Sequence, residues 1–209
     1  MKALPNILTI GRLVLTLAVL VCLAVAAGAG DMLKARLEAW AFVGFVIAAV
    51  TDFFDGWLAR RLDAASLLGA ILDPIADKAL VAAAIVGLLA VGVPIALSGG
   101  VILFREFAVS ALRETLAPKG LRLPVTVLAK WKTTLQLVAL AVLLFIQGAR
   151  GLMLILPGWS GFGFACYLRP PAWALGLLWL AAAVTVWTGV EYALAARKAL
   201  RDQVRSSST

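Results

Sequence analysis

Long apolar runs separated by short polar segments dominate the chain. Each run is about as long as the 20 residues that a helix needs to cross the hydrocarbon core of a bilayer. The predicted spans lie at about residues 7–28, 39–60, 66–91, 95–117, 124–147 and 172–196. Residues 31–38 are predicted as a short loop, 148–171 as the longest loop, and 197–209 as a charged tail that is disordered at its end. The pattern therefore predicts an all-α integral membrane protein with six transmembrane helices and a single membrane-embedded domain over 1–209.

Composition supports this fold class and narrows the chemistry. Of the 209 residues, 63% are hydrophobic, and the mean hydropathy is +1.02, far above that of a soluble domain. The chain has no histidine, which excludes Ser-His-Asp and Cys-His catalysis and a zinc site that uses histidine. The two cysteines, Cys22 and Cys166, do not suggest a disulfide framework. Any metal must be held by oxygen, which favours Mg²⁺, Mn²⁺ or Ca²⁺.

The net charge of +8 indicates topology rather than nucleic-acid binding, because the basic residues form no cluster on a soluble fold. The basic residues predicted at or near one side are Lys2, Arg12, Arg60, Arg61, Lys119, Arg122, Lys130, Lys132, Arg197, Lys198, Arg201 and Arg205. Those predicted on the other side are Lys34, Arg36, Arg150 and Arg169. By the positive-inside rule, both termini and the turns 60–66 and 118–124 are cytoplasmic. The excess positive charge also suits anionic lipid head groups.

Of the aspartates between Thr51 and Lys78, four lie in otherwise apolar surroundings: Asp52, Asp55, Asp73 and Asp77. On a helix, one face carries Asp52, Asp55, Gly56, Ala59 and Arg60. A face of the next helix carries Gly69, Asp73 and Asp77. The turn at 60–66 is long enough for the two helices to pair antiparallel. We therefore predict a box of four acids, with one arginine at its rim and small residues lining it.

Four facing carboxylates need a counter-charge. A single aspartate at mid-span costs about 2.5–3.5 kcal/mol, so four at the centre would cost about 10 kcal/mol. Arg60 alone would not neutralise them, whereas a pair of divalent cations would. The alternatives are a purely structural acid box and a proton or cation pathway. A pathway is disfavoured because the outer halves of spans one, five and six carry almost no ionisable residue.

Carboxylate-bound Mg²⁺-type ions commonly bridge phosphate oxygens, and a pair of ions can stabilise a displacement at phosphorus. Gly56, Ala59 and Gly69 would let a phosphate-bearing head group approach the helix backbones closely. The alternative for these small residues is helix–helix packing. Arg60 offers a planar fork suited to phosphate, and its alternative role is an interfacial anchor.

The full spacing is Asp52-x2-Asp55-Gly56-x2-Ala59-Arg60-x8-Gly69-x3-Asp73-x3-Asp77, and it resembles the signature of the CDP-alcohol phosphatidyltransferase family without departure. The resemblance implies that a CDP-linked lipid donates its phosphatidyl group to an alcohol and releases CMP. It also implies roles for the signature residues. Asp52, Asp55, Asp73 and Asp77 would be ligands of two Mg²⁺ or Mn²⁺ ions, with Asp77 also the general base on the acceptor hydroxyl. Gly56, Ala59, Arg60 and Gly69 would hold the CDP moiety.

The acceptor must be inferred outside this signature. Arg105 lies well inside a span, where a charge is functional by default, and Arg113 lies on the same helical face. With Lys130 they would form a cationic pocket beside the acid box. Such a pocket suits an acceptor that already bears a phosphate and would repel choline or ethanolamine. The alternatives are an ion pair between Arg105 and a neighbouring acid such as Glu106, and anchoring to anionic lipid for the lysines near the interface, among them Lys132.

Three further segments, L-P-N-I-L-T-I-G-R at 4–12, R-E-F-A-V-S-A-L-R-E at 105–114 and A-K-W-K-T at 129–133, are similar to bacterial members of the family that make phosphatidylglycerophosphate. This resemblance implies CDP-diacylglycerol as donor, sn-glycerol-3-phosphate as acceptor, a homodimer, and a place in the bacterial inner membrane. Asn6 would contact the CDP-lipid, and Thr9 and Arg12 would lie near the donor or the pocket. Cardiolipin synthase and inositol-phosphate transferase are alternatives within the family. A divalent-cation transporter and a non-catalytic lipid-binding scaffold are alternatives outside it.

Overall fold

The computed structural model describes residues 4–62, 67–117, 127–155 and 170–206. Its six helices are α1 (Leu4–Gly28), α2 (Asp31–Leu62), α3 (Leu67–Ala90), α4 (Ala96–Leu116), α5 (Val127–Ile155) and α6 (Ala172–Ser206). Within these helices, the side chains at 4–8, 53–62, 67–71, 73, 74, 127–130, 199 and 202–206 lie outside the description. The described residues contain no strand, and each predicted span corresponds to one helix, so the all-α prediction is confirmed.

Three stretches of the described residues are long and apolar enough to cross a membrane. They are Thr9–Gly28, Trp131–Ile155 and Ala172–Lys198, in α1, α5 and α6. α4 carries Arg105, Glu106, Arg113 and Glu114, which lowers its mean hydropathy. The membrane assignment thus has direct support in three helices, and the count of six spans stays a prediction.

The helices form two compact units. The first contains Met1–Ile95 and Leu137–Leu175, and the second contains Ala96–Gln136 and Gly176–Thr209. Each unit has its own buried residues. The prediction of one catalytic domain over 1–209 stays a prediction.

In the first unit, α1 packs against α2 and α3 along one narrow face. The buried positions on this face are Thr9, Arg12, Thr16, Val19, Leu23 and Ala26. They recur at alternating intervals of three and four residues, which is the spacing of a single stripe on a helix. The first three side chains are polar and the last three apolar, so α1 carries its buried polar groups near its N-terminal end.

The predicted loop at 31–38 is wrong, because α2 begins at Asp31. An acidic residue in the first turn favours the N-terminus of a helix, and the Lys34 amide donates to the Gly30 carbonyl at 2.9 Å. The charged residues of this segment suggested a loop. They flank Ala35 and Ala39, which are buried on the side that faces α5.

The predicted loop at 148–171 begins too early, because α5 continues to Ile155. A Cβ added to Gly148 would lie 2.9 Å from the Glu38 carbonyl oxygen, and one added to Gly151 would overlap the Ala35 carbonyl oxygen. These glycines therefore allow α5 to pack closely on α2 instead of ending the helix. The remainder of the predicted loop, at 156–169, lies outside the described residues.

The other helix ends differ less from the prediction. α6 extends to Ser206, into the predicted tail, because the sequence after 196 is rich in Ala, Leu, Lys and Arg, which are good helix formers. α3 ends in a Schellman motif. Gly92 has a φ of 92°, its amide donates to the Leu89 carbonyl, and the Val93 amide donates to the Leu88 carbonyl. The left-handed conformation at Gly92 favours glycine, and Pro94 follows two residues later.

Candidate active site

Three helices of the first unit meet at the guanidinium of Arg12. Its Nη1 donates to Asp77 Oδ1 at 2.9 Å and also pairs with Asp52 Oδ1. Arg12 belongs to α1, Asp52 to α2 and Asp77 to α3. The Arg12 residue is only 2% exposed, whereas the carboxylate side chains are 36% and 54% exposed. The cation is therefore buried, and the two acids that it contacts remain accessible.

The local sequence explains this placement. Asp52 lies four residues after Ala48 and seven after Phe45, so it continues the buried face of α2 into a partly exposed turn. Asp77 follows the buried Ala76 and precedes the buried Leu80 in α3. Both carboxylates thus sit at the end of an apolar helix–helix contact, where the Arg12 side chain reaches them from the stripe on α1.

Asp52 and Asp77 were predicted on facing sides of adjacent helices, and the structure brings their oxygens to the same guanidinium nitrogen. The other signature residues are Asp55, Gly56, Ala59, Arg60, Gly69 and Asp73, and their side chains lie outside the described part of the structure. The same holds for Asn6 and Lys130. The roles assigned to all of these residues stay predictions.

The described part of the site fits a divalent cation in its chemistry. Two carboxylate oxygens from different helices come close enough to share one guanidinium nitrogen, so a divalent cation beside Arg12 would find on both helices ligands of the type that Mg²⁺ and Mn²⁺ prefer. The described side chains contain no group of three or more His, Cys, Asp and Glu that could hold a metal. The remaining predicted ligands, Asp55 and Asp73, are those whose side chains are outside the description.

Sequence reasoning assigned Arg12 only a place near the donor or the pocket and missed its role as counter-ion. Arg60 is therefore not the only arginine available to the four acids, because Arg12 pairs with two of them. A signal was present in the sequence. Arg12 lies between Thr9 and Thr16 on one face of an otherwise apolar helix, which indicates a buried polar contact rather than an exposed charge.

The second unit contains a separate cationic cluster, which joins α4, α5 and α6. The Arg105 Nη2 donates to Thr188 Oγ1 at 2.9 Å, and the Arg105 guanidinium carbon lies 5.7 Å from the centroid of the Tyr192 ring. Arg113 donates to the Tyr192 hydroxyl at 2.5 Å and lies 4.7 Å from the same centroid. Arg105 and Arg113 therefore converge on one aromatic ring, which each contacts by a cation–π interaction.

One acid partly balances this cluster. Lys132 Nζ pairs with Glu106 Oε1, and Arg105 Nη1 lies 3.5 Å from the same oxygen. The ion pair of Arg105 with Glu106, which the sequence left as an alternative, is thus present. Lys132 is buried, so the interpretation of Lys132 as an interfacial anchor is wrong. Arg105 and Lys132 thus share one carboxylate, and with Arg113 the cluster has three cations and one acid, which leaves a net positive charge.

Two partners of Arg105 were not found from the sequence. Thr188 and Tyr192 lie 83 and 87 residues further along the chain, one turn apart on α6. Gly189, between them, leaves room for the arginine, since a Cβ there would lie 3.0 Å from the Arg105 Cγ. The run T-G-V-E-Y at 188–192 could have indicated this contact, because it places the Thr188 hydroxyl, the side-chain-free Gly189 and the Tyr192 phenol on one side of an apolar helix.

The sequence is similar to those of known proteins over most of its length. A sequence model of the CDP-alcohol phosphatidyltransferase family matches residues 2–187. This region contains Asp52, Asp77 and Arg105, whereas Tyr192 follows it. The chain is 38% identical to the CDP-diacylglycerol–glycerol-3-phosphate 3-phosphatidyltransferase of Cereibacter sphaeroides, over 96% of this chain and 98% of that protein.

Two other relatives carry the same name. The protein of Rickettsia bellii is 38% identical, over 93% of this chain and 96% of its own length. That of Escherichia coli K12 is 39% identical, over 76% of this chain and 79% of its own length. The similarity therefore covers most of both chains in each comparison.

Proposed function

The chain belongs to the CDP-alcohol phosphatidyltransferase family, and on that basis we propose that it transfers the phosphatidyl group of CDP-diacylglycerol to sn-glycerol-3-phosphate. The products are phosphatidylglycerophosphate and CMP. The observation that carries the proposal is the meeting of Asp52 and Asp77, from α2 and α3, at one positively charged group. The identity of the acceptor is inferred from relatives whose names include glycerol-3-phosphate.

In this reaction, the acceptor hydroxyl oxygen attacks the phosphorus that carries the diacylglycerol. A new P–O bond forms, the P–O bond of the diphosphate breaks, and CMP leaves with that oxygen. We assign the hydroxyl proton to the Asp77 carboxylate. This side chain is 54% exposed, so it can pass the proton on to water.

Members of this family generally use divalent metal ions. For this chain we propose two ions, Mg²⁺ or Mn²⁺, with Asp52, Asp55, Asp73 and Asp77 as ligands. When bound, such a pair of ions stabilises the attacking and the leaving oxygens of a displacement at phosphorus.

Arg12 sets the charge of the site before any cation binds. Four aspartates with Arg12 and Arg60 leave two negative charges, fewer than the acids alone would carry. Two divalent cations would change this to an excess of positive charge, which suits the anionic diphosphate of the donor. Because Arg12 is buried and paired with both Asp52 and Asp77, it also holds these two side chains in place while the donor binds and leaves.

The donor is assigned to the remaining signature residues. Gly56, Ala59 and Gly69 lack bulky side chains and would allow the CDP moiety to approach the backbones of α2 and α3. Arg60 offers two parallel donors to a phosphate, and Asn6 completes the contacts at the start of α1.

The acceptor phosphate is assigned to Arg105, Arg113 and Lys130. Arg113 is exposed, so a water-soluble acceptor can reach it, and Tyr192 fixes the direction of both guanidinium groups. A phosphate dianion would add the counter-charge that Glu106 alone does not supply. Choline and ethanolamine, which are cations, would be repelled.

We further propose that the protein lies in the bacterial inner membrane as a homodimer, with both termini and the active site cytoplasmic. The support for the orientation is the excess of Lys and Arg near the termini and near the turns 60–66 and 118–124.

The proposed reaction is tested by incubating the purified protein with CDP-diacylglycerol and Mg²⁺ or Mn²⁺ and measuring CMP release with each candidate acceptor. We expect release with sn-glycerol-3-phosphate and none above background with inositol phosphate or phosphatidylglycerol. Activity with one of the latter two alone would overturn the acceptor. Metal flux into liposomes without CMP release would indicate a transporter, and full function of Asp52→Asn would indicate a scaffold.

A further inference from the structure

A polar cavity of 440 Å³ lies in the first unit, away from Arg12. It forms where the start of α2, the end of α3 and the second half of α5 meet. Glu38, on its wall, precedes Asp52 by 14 residues of α2, which corresponds to about 21 Å at 1.5 Å per residue. Val91, also on its wall, follows Asp77 by the same number of residues. The cavity is therefore distinct from the candidate active site.

The cavity has a balanced set of charges. Its charged and amide side chains are Asp31, Lys34, Glu38, Gln147 and Arg150. Two of these are acids and two are bases. Among the residues that the structure describes, none of these four forms a salt bridge within 4.0 Å. Asp31 and Arg150 are exposed and Lys34 is half-buried, so Glu38 is the charge of this set that a ligand in the cavity would satisfy.

Glu38 is the residue of the cavity that most needs a hydrogen-bond donor from a ligand. The residue is 6% exposed, and its Oε1 has no hydrogen-bond partner among the described residues. Glu38 precedes the second predicted span, and its burial raises the pKa of its carboxyl to about 7, although the charges of Lys34 and Arg150 act in the opposite direction. A buried carboxylate oxygen without a donor is costly, so a ligand that supplies an N–H or O–H group would bind favourably.

The close packing of α5 on α2 holds the two sides of the cavity together. Gly148 and Gly151 allow the contact, and the residues before them in the chain, Gln147 and Arg150, line the cavity next to Glu38. The base is therefore placed opposite the acid by helix backbones rather than by a loop, which gives a preformed site.

We propose that this cavity binds a phosphate–ammonium zwitterion, the head group of a phospholipid of the phosphatidylethanolamine type. The phosphate would contact Lys34 and Arg150, and the ammonium would donate to Glu38 and Asp31. A simple anion would leave the two acids facing a negative charge, and a simple cation would leave the two bases unpaired. The volume lies within the range of about 300–1,000 Å³ that small-ligand sites occupy.

A lipid is favoured over a soluble compound by the position of the cavity. Its walls include the first turns of α2 and the residues just after α3, and α1 ends at Gly28, three residues before α2 begins. Helix ends next to an apolar stretch such as Thr9–Gly28 lie at the depth of lipid head groups.

The test measures lipid binding to the purified protein by native mass spectrometry, with no CDP-diacylglycerol or acceptor present, so that its outcome is independent of the transferase reaction. The probes are a short-chain phosphatidylethanolamine, a phosphatidylglycerol with the same acyl chains, and soluble glycerophosphoethanolamine. We expect the ethanolamine lipid to bind about tenfold more tightly than the glycerol lipid, as for one charge-assisted hydrogen bond.

Variants then locate the binding. Glu38→Gln should remove most of this preference, because Glu38 contacts the ammonium that the glycerol lipid lacks. Arg150→Gln should weaken the binding of both lipids about equally, because both carry the phosphate. Arg36→Gln, at an exposed arginine of α2 that does not line the cavity, should change neither the affinity nor the preference. Arg150 is exposed, so its replacement preserves folding even if that of Glu38 does not. Equal binding of the two lipids by the original protein, or an unchanged affinity for both lipids in Arg150→Gln, would overturn the proposal. Glycerophosphoethanolamine binding as tightly as the lipid would support the zwitterion but overturn the lipid as its source.

Discussion

Replacement of Asp77 by asparagine separates catalysis from structure at the candidate active site. The amide has nearly the same size as the carboxylate but cannot accept the acceptor's proton. General-base catalysis contributes a factor of about 100 to 10,000 to the rate, so we expect turnover to fall by about that factor in Asp77→Asn.

The cost to folding is expected to be small. Asp77 pairs with Arg12 at 2.9 Å, but its side chain is 54% exposed, and exposed ion pairs contribute about 0–1 kcal/mol. Arg12 retains Asp52 as a partner, so no buried charge is left unpaired. The free energy of unfolding should therefore fall by at most about 1 kcal/mol. The affinity for CDP-diacylglycerol should stay within about tenfold of the original, which corresponds to about 1.4 kcal/mol.

The assay combines two measurements on the same preparation: the rate of CMP release with sn-glycerol-3-phosphate, and equilibrium binding of CDP-diacylglycerol in the presence of Mn²⁺. Glu114→Gln, an exposed carboxylate of α4 replaced by its amide, is the matched control and should keep both properties. Asp52→Asn should lose both, because Asp52 is proposed as a metal ligand and not as a base. Turnover of Asp77→Asn within tenfold of the original would refute the assignment of the base. A parallel loss of donor binding would leave Asp77 as a ligand alone.

Three further predictions concern other parts of the molecule. Arg105→Gln should raise the KM for sn-glycerol-3-phosphate by about 10- to 100-fold, which corresponds to the loss of one charge-assisted hydrogen bond. In the same initial-rate measurements, the KM for CDP-diacylglycerol should stay unchanged. A rise in both KM values would contradict a role of Arg105 in acceptor binding. Gly151→Ala should lower the free energy of unfolding by about 1–3 kcal/mol, because the new methyl group overlaps a carbonyl oxygen of α2. Gly176→Ala is the control and should not destabilise the protein, because the space around Gly176 is open. Equal thermal midpoints for the two variants would contradict the close packing of α5 on α2. The Glu38 carboxyl holds its proton more tightly in the folded protein than in the unfolded chain, so stability should fall as the pH rises from about 4.5 to about 7, by at most about 3 kcal/mol. Glu38→Gln should remove that slope in unfolding curves measured across this range, and an unchanged slope would show that another group causes it.

The sequence was most informative where local spacing decides the outcome. Apolar runs located the six helices, and the spacing of three or four residues between aspartates placed Asp52 and Asp77 on facing sides of adjacent helices, which the structure brings together at Arg12. Helix ends were less predictable, because they depend on tertiary packing. The start of α2 has a polar sequence, yet one side of it packs against Gly148 and Gly151 of α5, which the sequence analysis assigned to a loop.

Partners far apart in the chain could not be predicted at all. Arg12 lies 65 residues from Asp77, and Arg105 lies 83 residues from Thr188, and no local pattern links these pairs. Burial of a charge in an apolar helix indicates that a partner exists, but the packing of other helices decides which one it is. The same reasoning explains Lys132, whose buried ion pair with Glu106 becomes visible only when α4 and α5 are brought together.

The central claim is that aspartates of α2 and α3 jointly hold divalent cations, and Mn²⁺ binding followed by electron paramagnetic resonance tests it most directly. We predict that the purified protein binds two Mn²⁺ ions with magnetic coupling between them. Asp52→Asn should abolish the coupling, whereas Asp77→Asn, whose amide oxygen can still act as a ligand, should weaken Mn²⁺ binding but retain enough of it to bind the donor. Glu114→Gln should bind as the original protein does. Mn²⁺ binding that is absent, or that is unchanged in both aspartate variants, would contradict the account.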